Sequence, residues 1–125
     1  MGLEWYVVRV ATNREDSVRE KLVRRIKADG LDGRIPQILV PVERVSEVKN
    51  GKKKVVSRKI YPGYLMIQAA LGEQGSEDKE DQAVWFALHE TQGFGDFVGG
   101  GEEPTPMTPD EVEGILSRMH ESEDA

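Results

Sequence analysis

The run Tyr61-Pro62-Gly63-Tyr64-Leu65-Met66 concentrates the residue types best suited to recognition. Two tyrosines flank a bend in which proline fixes φ and glycine lets the chain turn closely. Packed inward, the pair would plug a core around a tight turn. Left partly open, it would form an aromatic depression that seats a helix of a partner. A second concentration is cationic: Lys49, Lys52, Lys53, Lys54, Arg58 and Lys59. Such a cluster suits nucleic-acid phosphates. Lysines on a projecting edge also keep sheets from pairing with one another, and no aromatic is interleaved here to stack a base. Edge protection is the reading those two facts favour.

Bond-making chemistry has fewer candidates. No nucleophile elbow, phosphate-binding loop or metal-ligand spacing occurs. Gly93, Gly95, Gly99, Gly100 and Gly101 do not lead from a strand into a helix at dinucleotide spacing. His89 and His120 are the only imidazoles. The first closes a predicted helix and the second follows the last apolar residue, places that suit helix-end cations. Glu77-Asp78 and Glu102-Glu103 fall in predicted loops, without the burial that would tune a carboxyl. The chain has no cysteine, which excludes disulfides and thiolate metal sites. A non-enzymatic protein with no metal and no cofactor is expected.

These residues need elements to position them. Trp5-Tyr6-Val7-Val8-Arg9-Val10 is aromatic and β-branched on both faces and reads as a strand near the middle of a sheet. Thr12 and Glu15 have capping-box spacing, and Val18, Leu22, Val23 and Ile26 recur at helical spacing. A helix over 13–29 follows, stopped by Gly30, with Glu15–Arg19 and Glu20–Arg24 as pairs on its solvent side. Residues 35–42 read as a strand punctuated by Pro36 and Pro41. Asn50-Gly51 between 45–49 and 52–57 is a hairpin signal that sets Glu47 opposite Lys54 and Val45 opposite Val56.

A strand over 65–69 should follow the tyrosine bend, then an exposed acidic loop over 72–82 and a helix over 78–89. A short strand over 94–98 leads to a connector of three glycines and Pro104-Thr105-Pro106. Thr108, Pro109 and Glu111 open a last helix with an apolar stripe of Val112, Ile115, Leu116 and Met119. The order predicts an α+β fold: an antiparallel four-stranded sheet flanked by three helices, with an inserted β-hairpin.

The bulk numbers agree with one soluble domain: 125 residues, 38% hydrophobic and 32% charged. The net charge of −6 argues against nucleic-acid binding by the surface as a whole. The longest apolar runs, such as 64–67, are too short to cross a bilayer, and no basic start with an apolar stretch marks secretion. A cytoplasmic monomer without membrane contact is expected.

Together these segments resemble the NusG family of transcription elongation and antitermination factors, in their N-terminal (NGN) domain. The opening Trp5-Tyr6-Val7-Val8 resembles that family's first strand. Lys59-Ile60-Tyr61-Pro62-Gly63-Tyr64 resembles its aromatic-Pro-Gly-Tyr motif. Gly93-Phe94-Gly95-Asp96-Phe97-Val98-Gly99 resembles its Gly-x-x-x-Phe-Val-Gly segment, and Pro104-Thr105-Pro106 with 110–119 resembles its closing helix. Each motif is weak alone; their shared order across nearly the whole chain is specific.

The resemblance implies an NGN domain over 1–120 and the start of a polar linker over 121–125. It implies that Tyr61, Pro62, Gly63, Tyr64 and Met66, with Tyr6 alongside, bind the clamp helices of the largest RNA polymerase subunit. The domain would bridge the cleft toward the second-largest subunit, hold the clamp closed and suppress pausing. Arg9, Asn13 and Arg14, with Thr91, are the candidates for non-template DNA near the transcription fork. In some members an Asn-Thr pair reads that strand; Glu90-Thr91 stands here, and its carboxylate would repel phosphates. The family's second domain, the KOW barrel that recruits Rho or a ribosomal protein, is missing. The chain is then part of a longer protein, the favoured expectation, or a natural single-domain member. The acidic 72–82 segment, longer than the family's usual turn, is expected to be a neutral solvated loop. The competing expectation is a small RNA-binding module that uses the sheet face and the basic hairpin, with Tyr6, Tyr61 and Tyr64 as the available stacking rings.

Overall fold

The computed structural model describes residues 2–98 and 104–124, with side chains as far as Met119. The glycine connector, Glu102-Glu103 and the side chain of His120 lie outside the described residues. The elements are β1 (Glu4–Val10), α1 (Glu15–Ala28), β2 (Gln37–Leu39), β3 (Val42–Lys49), β4 (Lys52–Lys59), β5 (Tyr64–Ala69), α2 (Lys79–Glu90), β6 (Phe94–Phe97) and α3 (Pro109–Asp124). Four strands form an antiparallel sheet in the order β2-β5-β1-β6, and β3-β4 stands apart as a two-stranded ribbon. The predicted α+β architecture, with its sheet, three helices and hairpin, is the one observed.

Strand alternation divides the sheet into two faces. Tyr6, Val8 and Val10 of β1 join Leu65, Ile67 and Ala69 of β5 and Ile38 of β2 in the main core. Val18, Leu22 and Ile26 of α1 and Val84, Ala87 and Leu88 of α2 cover that face. The register Trp5↔Gln68, Val7↔Met66 and Arg9↔Tyr64 puts the intervening residues on the opposite face. Helix α3 stands on that second side. Its capping box is reciprocal: Thr108 N–H donates to Glu111 and Glu111 N–H donates to the Thr108 hydroxyl.

The hairpin has the expected pairing, with Glu47↔Lys54 and Val45↔Val56. Asn50 at φ 55° and Gly51 at φ 76° supply the two left-handed residues its turn requires. Two expectations need correction. Helix α1 starts at Glu15, not at residue 13, because Asn13 adopts φ 66° and Thr12 makes no cap. Strand β2 is confined to Gln37–Leu39, since the Ile35 N–H bonds back to Leu31 and the buried Pro41 interrupts the ladder before β3. The 72–82 segment is exposed over most of its length, as expected, and is anchored at Gly72, Ser76 and Asp81. The Trp85 indole donates to the Gly72 carbonyl at 2.9 Å, and the Asp81 carboxylate accepts from Ser76 and Arg34.

Candidate partner-docking groove

Residues 61–64 form a β-turn closed by Tyr64 N–H donating to the Tyr61 carbonyl at 3.3 Å. Pro62 takes the second place and Gly63, at φ 85°, the third, the signature of a type II turn. The turn delivers Tyr64 into β5 and leaves Tyr61 outside at 44% exposure. Between the turn, the second sheet face and α3 runs an open groove of about 590 Å³. Val7, Tyr61, Tyr64, Val98, Met107 and Ile115 give it an apolar lining, and Asp110, Glu111 and Arg118 add charge. Gly114 also lines it, and a Cβ there would meet nothing within 4 Å, so glycine widens the groove along the α3 wall. Two contacts hold that wall: Met107 N–H donates to the Trp5 carbonyl at 2.8 Å, and Arg118 pairs with Glu43 of β3 at 2.9 Å.

Behind the turn lies a buried carboxylate. Glu15 opens α1 on the same stripe as Val18, Leu22 and Ile26, which turns it inward. Its Oε2 accepts Gly63 N–H at 3.0 Å and its Oε1 accepts the Lys59 ammonium at 3.2 Å. Burial acts to raise the Glu15 pKa. Hydrogen bonds from the Gly63 N–H, from its own N–H and from Lys59 outweigh burial and hold it below the ordinary glutamate value. This corrects the expected roles of Glu15 as capping-box partner and solvent-side mate of Arg19. The Arg19 guanidinium donates instead to the Ile38 carbonyl at 2.6 Å.

The residues singled out from sequence divide into two sets. Tyr61, Pro62, Gly63 and Tyr64 come together at one end of the groove. Tyr6 does not join them. It lies on the helix-covered face, 7% exposed, with its ring edge-on to Phe97 at 5.6 Å. Its hydroxyl donates to Glu4, and burial, then the Glu4 charge and hydrogen bond, push its pKa up. Met66 is on the groove side but fully enclosed, so it supports the site without lining it. Arg9, Asn13 and Arg14 are exposed near the start of α1. Thr91 is buried, and its hydroxyl donates to the Ala87 carbonyl at 2.8 Å, so it does not share their surface. In the hairpin, Lys59 is tied to Glu15 and Arg58 to Glu43. Among the described residues no cluster of His, Asp or Glu could hold a metal, and no helix is long and apolar enough to cross a membrane.

The fold, a sheet backed by two helices with a third helix on its other side, is shared with solved structures. The NusG of Thermotoga maritima superposes with a TM-score of 0.71 at 23% identity, over 98% of this chain and 60% of that one. A chain from the Spt4 heterodimer complex of Methanococcus jannaschii superposes at 0.54 and 18% identity, over 91% of this chain and 96% of that one. Both likenesses concern the fold. The family model described as transcription termination factor nusG matches residues 3–116, and the chain belongs to the NusG family. The transcription termination/antitermination protein NusG of Thermus thermophilus is 43% identical over 117 residues, covering 93% of this chain and 61% of the relative. That of Bacillus subtilis is 35% identical over 122 residues, covering 95% of this chain and 64% of the relative. The chain thus spans about three fifths of the length of these curated relatives.

Proposed function

We propose that this chain is the polymerase-docking domain of a transcription elongation and antitermination factor, and not an enzyme. The observation that carries this reading is the groove itself. An exposed Tyr61 and a half-buried Tyr64 sit on a hydrogen-bonded turn beside Val98, Met107 and Ile115, in a chain of the NusG family. An apolar groove with aromatic anchors suits the face of a partner helix, and such anchors dominate binding energy once desolvated. The partner is the pair of clamp helices of the largest RNA polymerase subunit, and the domain reaches across the cleft toward the second-largest subunit. A factor that binds the closed polymerase more tightly than the open one shifts the population toward elongation and away from pausing. Arg9, Asn13 and Arg14, exposed near the start of α1, are the candidates for the backbone of the non-template strand. Contacts with Rho or a ribosomal protein belong to a second domain, and the setting is the cytoplasm.

The test is binding to RNA polymerase core enzyme by the chain and by Tyr64→Ala. Loss of a hot-spot aromatic should weaken binding by at least about 30-fold, on the order of 2 kcal/mol. Undiminished polymerase binding with lost affinity for single-stranded RNA would move the function to the sheet-face RNA reading.

A further inference from the structure

Glu15 is 1% exposed, and both of its oxygens reach beyond the helix it opens. One accepts Gly63 N–H at 3.0 Å and the other accepts Lys59 at 3.2 Å. The far side of Gly63 is held as well, because its carbonyl accepts the Val10 N–H at 2.9 Å. Gly63 sits at φ 85°, and a Cβ there would lie 3.4 Å from the Thr12 hydroxyl oxygen. The end of β1 and the start of α1 therefore meet at one glycine, between the two groove tyrosines, and Lys59 at the end of β4 ties to it through Glu15.

We propose that Glu15 is a positioning residue for partner docking: its buried carboxylate fixes the Pro62–Gly63 peptide so that Tyr61 and Tyr64 are set in advance at the groove mouth. The inference rests on the docking reading above. A buried carboxylate is a poor device for stability alone, since an apolar residue of similar volume would pack α1 against the sheet with no charge to desolvate. What an apolar residue cannot do is accept an N–H that points inward from a turn. The amide of Gly63 has that direction because glycine occupies the left-handed place of the turn. A turn ordered before encounter spares the complex the entropy of ordering it, which is the advantage of preorganisation. The depressed Glu15 pKa keeps the acceptor ionised near neutrality.

Three forms of the chain separate this role from simple packing: wild type, Glu15→Ala and Glu15→Gln. Each is measured by hydrogen exchange of the Gly63 amide relative to the β5 amides, and by titration against RNA polymerase core enzyme at a temperature where circular dichroism shows all three folded. Glu15→Ala should speed Gly63 exchange and weaken polymerase affinity, each by about tenfold, the order expected from one hydrogen bond to a charged acceptor. Glu15→Gln keeps an oxygen for Gly63 and should stay within about threefold of wild type in both. The proposal is overturned if Gly63 exchange is unchanged in Glu15→Ala. Wild-type affinity in a Glu15→Ala chain with a freed Gly63, or equal losses in both variants, overturns it too. If wild type itself does not bind polymerase, the docking reading fails and the role in docking falls with it. The exchange ratio then still decides whether Glu15 sets the turn.

Discussion

Glu15 and Asp81 occupy matching places in the two helices that back the sheet. Each lies in the first turn of its helix, on the buried stripe, beside a cation. Their partners differ. Asp81 takes a 2.7 Å bond from Arg34 and a 2.9 Å bond from Ser76, while Arg34 also donates to the Ala70 carbonyl at 2.8 Å. A Cβ on Gly72 would come within 2.0 Å of the Asp81 carboxyl carbon, so the 72–82 segment is folded tightly onto this pair. None of these residues lines the groove. Glu15 instead accepts a main-chain N–H from a turn whose flanking side chains face outward. One carboxylate closes the scaffold upon itself, and the other carries scaffold rigidity to the surface where a partner would land. Burial and charge alone do not distinguish them; the destination of the hydrogen bonds does.

The sharpest way to break this comparison is to remove Arg34. Arg34→Met leaves Asp81 enclosed without its cation, and breaking a buried pair by deleting one partner is strongly destabilising. The melting temperature should fall by about 10 °C. Polymerase affinity, measured well below that midpoint, should match wild type. A drop in the affinity of the folded variant would mean that both carboxylates act on the groove and that the division drawn between them is wrong.

Much of this arrangement was legible in the residues. Asn50-Gly51 determined the hairpin register because its turn type admits few alternatives, and Thr108-Pro109-x-Glu111 marked α3 because capping chemistry is local. The tyrosine turn was legible for the same reason. Tyr6 was not, because Trp5, Tyr6, Val7 and Val8 are apolar on both faces, and only the pairing of Val7 with Met66 decides which ring faces the helices. Glu15 carried two conflicting signals. Its spacing from Thr12 suggested a cap, while its spacing from Val18, Leu22 and Ile26 put it on the buried stripe, and Asn13 in the left-handed region decides between them. The exposed 72–82 segment was legible as a loop, but its anchoring was not, because Arg34 and the Trp85 indole lie outside it in sequence.

Acid provides a second, smaller perturbation that separates the two carboxylates. Asp81 is held below its ordinary value of 3.8 by hydrogen bonds from Arg34 and Ser76, with burial opposing. Glu15 is held below 4.5 although burial opposes it, by Gly63 N–H, its own N–H and Lys59. Each group therefore releases its proton more readily in the folded chain than in the unfolded one. The stability they contribute is complete above the ordinary values and is lost as pH falls through the lower, folded ones. The urea midpoint should hold steady down to about pH 5 and fall steeply below about pH 4. In Glu15→Gln that fall should be shallower but still present, because Asp81 continues to titrate. An acid limb identical to wild type would show that Glu15 is not ionised in its enclosure.

The smallest effect concerns Glu80, next in sequence to Asp81 and also paired with Arg34, at 3.1 Å. Its side chain is 60% exposed against 10% for Asp81, so water screens the attraction and holding the side chain in place offsets much of what remains. Glu80→Ala should change stability by no more than about 0.5 kcal/mol in urea denaturation. A loss comparable to that of Arg34→Met would place the anchor of the 72–82 segment at the surface. Asp81 would then be a passenger on the buried stripe, and its likeness to Glu15 would be one of position only.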